Sequence, residues 1–177
     1  LSFYHGPEYK KYVDKYIAFV KEHMPNLDFY VTLDIIFDPK LTWESTLYLE
    51  SCGLKPMPVF HYGEDHSWFE KYINRYEYVG VGGLGQTLTK NKYVDFANKT
   101  FGMVCNSKGL PQNKIHGFAM GGFDLMLKWP WYSVDESSPF FFARMGSVVL
   151  PSPIIRNGKV SGWDFFSPTK PFAVTER

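Results

Sequence analysis

The chain has 177 residues and a formal net charge of +1, with 45% hydrophobic and 21% charged residues. That balance excludes a disordered segment and gives no general electrostatic drive toward nucleic acid, so any such binding must use a local basic face. No apolar run approaches the roughly 20 residues of a membrane span, and no signal peptide is visible.

In chain order, residues 8–23 place Tyr9, Val13, Tyr16, Ile17 and Val20 at the spacing of an amphipathic helix, which Pro25 and Asn26 end. Phe29, Tyr30, Val31, Thr32 and Leu33 are aromatic or mostly β-branched and predict a strand that ends at Asp34. Asp38, before Pro39, is read as a turn residue. Residues 42–52 predict a helix with Thr42 as N-cap and Gly53 at its C-terminal stop. Pro58 to His61 forms a short buried strand, and 65–76 a helix. Glu77, Tyr78, Val79, Gly80 and Val81 form a strand running into Gly82 and Gly83, and 91–107 is the next helix. Ile115 to Met120 is a strand that meets Gly121 and Gly122. A short helix over 123–128 leads to a strand through Trp131, Tyr132, Ser133 and Val134 that ends at Asp135. Residues 148–166 predict two strands joined by Asn157 and Gly158, a hairpin-turn pair.

Alternating strands and helices, short connections and nearly all-apolar strands predict a parallel sheet covered by helices. In an open doubly wound sheet the ligand uses strand ends near one switch point. Here every strand ends on an acid, a histidine or a glycine pair, which favours a closed (β/α) TIM-type barrel with one mouth. At 177 residues the chain is shorter than the about 250 of a full barrel. Leu1 opens almost directly into a helical pattern, so the expectation is one domain over 1–177, incomplete at the N-terminus by a first strand, with a C-terminal β-hairpin.

Asp135 stands where a strand leaves the core, either as a nucleophile or general base or as the cap of the following turn. His61 is either a ligand-binding or proton-carrying group or a buried imidazole held by a backbone carbonyl. Gly80 to Gly85 formally match a dinucleotide loop, but no helix opens at once and the acid expected after a second strand is missing. Bare N–H groups of Gly82 and Gly83 approaching a flat ligand are the better use, and tight strand–helix packing is the alternative. Aromatics make up 19% of the chain, enough for some to stack on such a ligand. His61, His66 and His116 with Asp34 and Asp135 form a conceivable metal set without metal-site spacing. Lys90, Lys92, Lys99, Lys108 and Lys114 gather around one helix, as a solvated face or as phosphate contacts. Cys52 and Cys105 show neither metal-ligand spacing nor a disulfide pattern, which points to a reducing, cytoplasmic setting.

Taken in order, these strand ends resemble the tRNA-guanine transglycosylase superfamily, and most closely its phage and bacterial branch that inserts 7-deazaguanine bases into DNA. Val31 to Asp34 with Asp38 and Pro39 resembles the strand whose Asp reads the guanine edge. Val79 to Leu84 resembles the glycine-glycine-leucine strand end that meets the base carbonyl. Ile115 to Gly121 resembles the next strand. Tyr132 to Asp135, followed by Ala143, Arg144, Met145 and Gly146, resembles the nucleophile strand and the run after it. The likeness covers 29–146. Two departures are clear. No Cys-rich zinc site follows the nucleophile strand, which favours DNA over tRNA as acceptor. The Asp-Ser-Gly strand that carries a second catalytic acid would lie before Leu1.

The resemblance implies Asp135 as catalytic nucleophile. It implies Asp34, His61, Gly82, Gly83 and Gly121 as substrate-binding residues, with Phe37, Phe60, Tyr62 or Phe118 sandwiching the base. It further implies no metal or cofactor, and a homodimer. Asp135 would attack the anomeric carbon of a guanosine nucleotide, guanine would leave, and a 7-deazaguanine would reverse the step. The target base would have to leave the duplex stack. A metal-dependent barrel hydrolase and a non-catalytic base- or partner-binding barrel are the alternatives.

Overall fold

The computed structural model describes residues 6–83, 89–120, 126–137, 144 and 150–166. Four helices and six strands are named in chain order: α1 (Pro7–His23), α2 (Pro39–Ser51), β1 (Val59–His61), α3 (His66–Ile73), β2 (Tyr78–Gly82), α4 (Lys90–Val104), β3 (Lys114–Gly117), β4 (Ser133–Val134), β5 (Leu150–Arg156) and β6 (Lys159–Phe166).

β1 to β4 form one parallel sheet in strictly consecutive order. Ahead of β1, Val31 makes a parallel bridge to Met57, so the segment before α2 runs in the same direction along the edge of β1 away from β2. The α/β alternation read from the sequence therefore yields a parallel sheet with helices between its strands. Phe60, Val79, Val81 and Ile115 turn to the helical side and pack with Phe69 and Tyr72 of α3 and Phe96, Phe101 and Val104 of α4. Consecutive order with α3 and α4 on one face leaves no switch point among the described strands.

α1 and α2 build a second cluster through Val13, Val20, Leu49 and Leu54. The expected strand over 29–33 is reduced to its single bridge. In place of a longer ladder, buried threonines of α2 tie that segment down. Thr46 Oγ1 meets Thr32 Oγ1 at 2.8 Å, and Thr42 Oγ1 accepts the Ile35 N–H at 2.9 Å. Thr42 is thus a core residue and not the N-cap. The cap is Asp38, whose carboxylate accepts the Leu41 N–H at 3.0 Å ahead of Pro39.

The hairpin β5–β6 forms as expected, with Asn157 and Gly158 at positive φ. The first half of the short helix expected over 123–128 lies outside the described residues, and Leu127 and Lys128 form a turn. Both cysteines are free. No described helix is long and apolar enough to cross a membrane.

Candidate active site

Because the strands are parallel, their carboxyl ends share one edge of the sheet, and the chemistry-bearing residues collect there. Asp34 follows the Val31 bridge, His61 closes β1, Gly82 and Gly83 end β2, Ala119 follows β3 and Asp135 follows β4. Register decides the face. Gly80 pairs with His116, His116 with Ser133, and His61 with Gly82, so these residues share the face opposite the helical core.

Two polar chains occupy that edge, each built on a buried histidine. In the first, His61 Nε2 lies 2.7 Å from Asp34 Oδ2, and His61 Nδ1 lies 3.3 Å from Glu64 Oε1. Glu64 also accepts the His61 backbone N–H at 3.0 Å. A reversal through Gly63, at φ 93°, brings Glu64 back onto His61. Burial opposes a charge on His61, but the hydrogen bonds and charges of Asp34 and Glu64 outweigh it and push its pKa up to about 9. At neutral pH it is therefore an imidazolium between two carboxylates. His61 is held by side chains, not by the backbone carbonyl that a merely structural role predicts. Asp34 keeps 31% of its side chain exposed, and among the described residues its Oδ1 has no hydrogen-bond partner.

The second chain runs through His116. Its Nδ1 lies 2.6 Å from Ser133 Oγ, which lies 2.5 Å from the Tyr78 hydroxyl. Its Nε2 lies 3.4 Å from Asp135 Oδ1, which also accepts the Ala119 N–H at 2.9 Å. Ala119 holds φ 49°, in the left-handed region that side chains seldom adopt, and this turns its N–H onto the carboxylate. Burial pushes the His116 pKa below its ordinary value, with Asp135 only partly offsetting it, so this imidazole is neutral at pH 7. Asp135 itself is 60% exposed. It bonds back to the turn after β3, while most of the turn that follows it lies outside the described residues.

Gly82 makes room for His61, since a Cβ there would lie 3.1 Å from His61 Cδ2. Gly83, at φ 74°, turns the chain off the sheet. Gly121 lies outside the described residues. The expected aromatic clamp divides sharply. Phe60 is fully buried in the helical core and is not available to a ligand. Phe118 is used against the His116 ring at 4.3 Å, and Tyr62 against Phe96 at 5.3 Å. Phe37 remains, 81% exposed three residues beyond Asp34 and at φ 67°.

His66 sits on the helical side between Phe60 and Phe96, away from His61. Among the described residues no three His, Cys, Asp or Glu side chains are placed to share a metal ion, so the five-residue metal set does not assemble. Sequence reasoning missed Glu64, Tyr78 and Ser133. A serine in an otherwise apolar strand was the available signal, because a buried hydroxyl must find a partner. No protein-family signature, curated protein or solved structure matches the chain, so the geometry alone bears on its function.

Proposed function

We propose that this chain is a base-exchange transglycosylase that replaces guanine in DNA, with tRNA the alternative acceptor, by a 7-deazaguanine base, and that its sheet is part of a (β/α) barrel wall. The observation that carries the reading is the pair of aspartates on one carboxyl edge, each backed by its own buried histidine in a different charge state. Environments that push neighbouring titratable groups apart are how a site divides chemical labour.

Asp135 is the nucleophile. One of its oxygens attacks the sugar C1′ as the C1′–N9 bond breaks, and that bond's electron pair leaves with guanine, which takes up a proton. The incoming 7-deazaguanine gives up its N9 proton and displaces the carboxylate, so two inversions leave the sugar configuration unchanged. Asp34, with Oδ2 already committed to His61, offers Oδ1 to an N–H on the guanine edge. The Phe37 ring stacks on the base. The exchange is neither redox nor hydrolytic and calls for no cofactor.

Laid flat, four strand spacings of about 4.8 Å would set the two aspartates about 19 Å apart, too far for one purine to touch both. The curl of a barrel would bring them across a shared mouth. Consecutive strand order with helices on one face is the winding such a wall requires, which supports this reading.

The test is exchange of labelled guanine in DNA and in tRNA, with trapping of a sugar–protein adduct. Asp135→Asn is expected to lower exchange at least about a thousandfold and abolish the adduct while leaving the circular dichroism unchanged. Undiminished exchange by that variant would show that Asp135 is not the nucleophile. Base binding without any adduct in the unaltered protein would favour a binding module.

A further inference from the structure

We propose that His116, locked by Ser133 and Tyr78, is the positioning residue for Asp135: it fixes Oδ1 from behind and leaves Oδ2 as the attacking oxygen. The proposal rests on Asp135 being the nucleophile.

The locking follows link by link. His116 is 4% exposed and enclosed by the rings of Phe29, Tyr78 and Phe118. Its Nε2 faces a carboxylate oxygen, which can only accept, so Nε2 carries the proton. In a neutral ring Nδ1 must then accept, and the hydroxyl at 2.6 Å is that of Ser133. Having donated there, Ser133 Oγ accepts from the Tyr78 phenol at 2.5 Å. Among the described residues, Tyr78 and Asp135 are the titratable groups that face His116. Lys114, at the start of the same strand, is paired with Glu77 at 2.8 Å. The chain thus has one direction and one tautomer.

At its far end Asp135 Oδ1 is held by the Ala119 N–H at 2.9 Å and faced by His116 at 3.4 Å. The backbone on either side is clamped as well, Asp135 N–H to Gly117 O at 3.1 Å and Met120 N–H to Asp135 O at 3.0 Å. Among the described residues Oδ2 has no partner. A neutral imidazole orients a carboxylate without cancelling the charge that makes it nucleophilic, which an imidazolium in its place would do. The 3.4 Å contact is long, as such contacts often are before substrate tightens them.

Imidazole 15N shifts and steady-state kinetics test this together. In the unaltered protein at pH 7, His116 is expected as the neutral Nε2–H tautomer, and Ser133→Ala is expected to raise the share of the Nδ1–H form. His116→Leu is expected to lower kcat about a hundredfold with KM for DNA unchanged, and His116→Gln, which keeps a donor toward Asp135, to recover most of it. If His116→Leu does not fold, Ser133→Ala and Tyr78→Phe each lose a single hydroxyl and should lower kcat about tenfold. An imidazolium or Nδ1–H His116 in the unaltered protein, or full kcat in His116→Leu, overturns the proposal. If the unaltered protein exchanges no base at all, the transglycosylase reading fails on its own, and the 15N shifts alone decide whether His116 positions Asp135.

Discussion

Phe37 combines two features that stability alone does not favour. Its φ of 67° lies in the left-handed region, and its ring is 81% exposed. A side chain there costs about 1–2 kcal/mol, and little burial offsets that cost. Strain of this kind persists where a side chain is wanted in one place, and Phe37 stands at the edge that carries Asp34. Phe37→Gly is therefore expected to raise unfolding stability in urea by up to about 1 kcal/mol, and to weaken nucleobase binding by about tenfold or more through the lost stacking. A variant that is stabilised yet binds the base as well as before would remove Phe37 from the site. The residue was legible in the sequence as one of four aromatics, but its exposure was not. Phe60 and Phe118 are equally aromatic and end up against α4 and His116. Which ring stays free depends on what packs on either side of the sheet.

Among the elements, β2 shows how the shared face is shaped. Gly80 has an ordinary φ, yet a Cβ on it would meet Phe118 Cε2 at 2.5 Å. The glycine leaves the space in which Phe118 folds over β2 toward His116. Gly80→Ala is expected to destabilise by about 1–3 kcal/mol, with part of the loss restored by pairing it with Phe118→Leu. Gly102, within α4 with nothing within 4 Å of its added Cβ, is the control. Gly102→Ala is expected to stabilise by about 0.5–1 kcal/mol. If both alanine variants shift the denaturation midpoint the same way, the crowding assigned to Gly80 is wrong. Element boundaries near α2 were the least legible. Thr42 and Asp38 are both good caps by type, and Asp38 takes the role because Thr42 is drawn inward to Ile35. The 29–33 segment has strand composition, but Thr42 and Thr46 claim its neighbours, and one bridge is all that remains.

Across the whole molecule, the two histidines set the pH dependence from opposite sides. His61 has a folded pKa of about 9 against an ordinary 6.5, so its contribution is complete below 6.5 and is lost as pH rises through 9. His116 is shifted down, so its contribution is complete above 6.5 and is lost as pH falls through its lowered value. Together they place the stability maximum near pH 6.5, to be read from urea unfolding between pH 5 and 10 on the midpoints of each curve. His61→Gln should flatten the alkaline limb and spare the acid one. An unchanged alkaline limb in that variant would mean that His61 is not charged in the folded protein. The sequence by itself determined the alternation of helices and strands, the Asn157–Gly158 hairpin and the residue types at the carboxyl edge, because period, turn chemistry and composition are local properties. It ran the strand from Ile115 on to Met120, whereas β3 stops at Gly117, ahead of the positive φ of Ala119. Only the tertiary structure decided that His61, His116 and Ser133 turn away from the helices, that Glu64 and Tyr78 complete their chains, and that one imidazole is charged and the other neutral. The reason is that strands apolar on both faces carry no alternation to mark which side is which. A histidine's charge, in turn, is set by partners that reach it only once the chain has folded, from as far along the sequence as Asp34 is from His61.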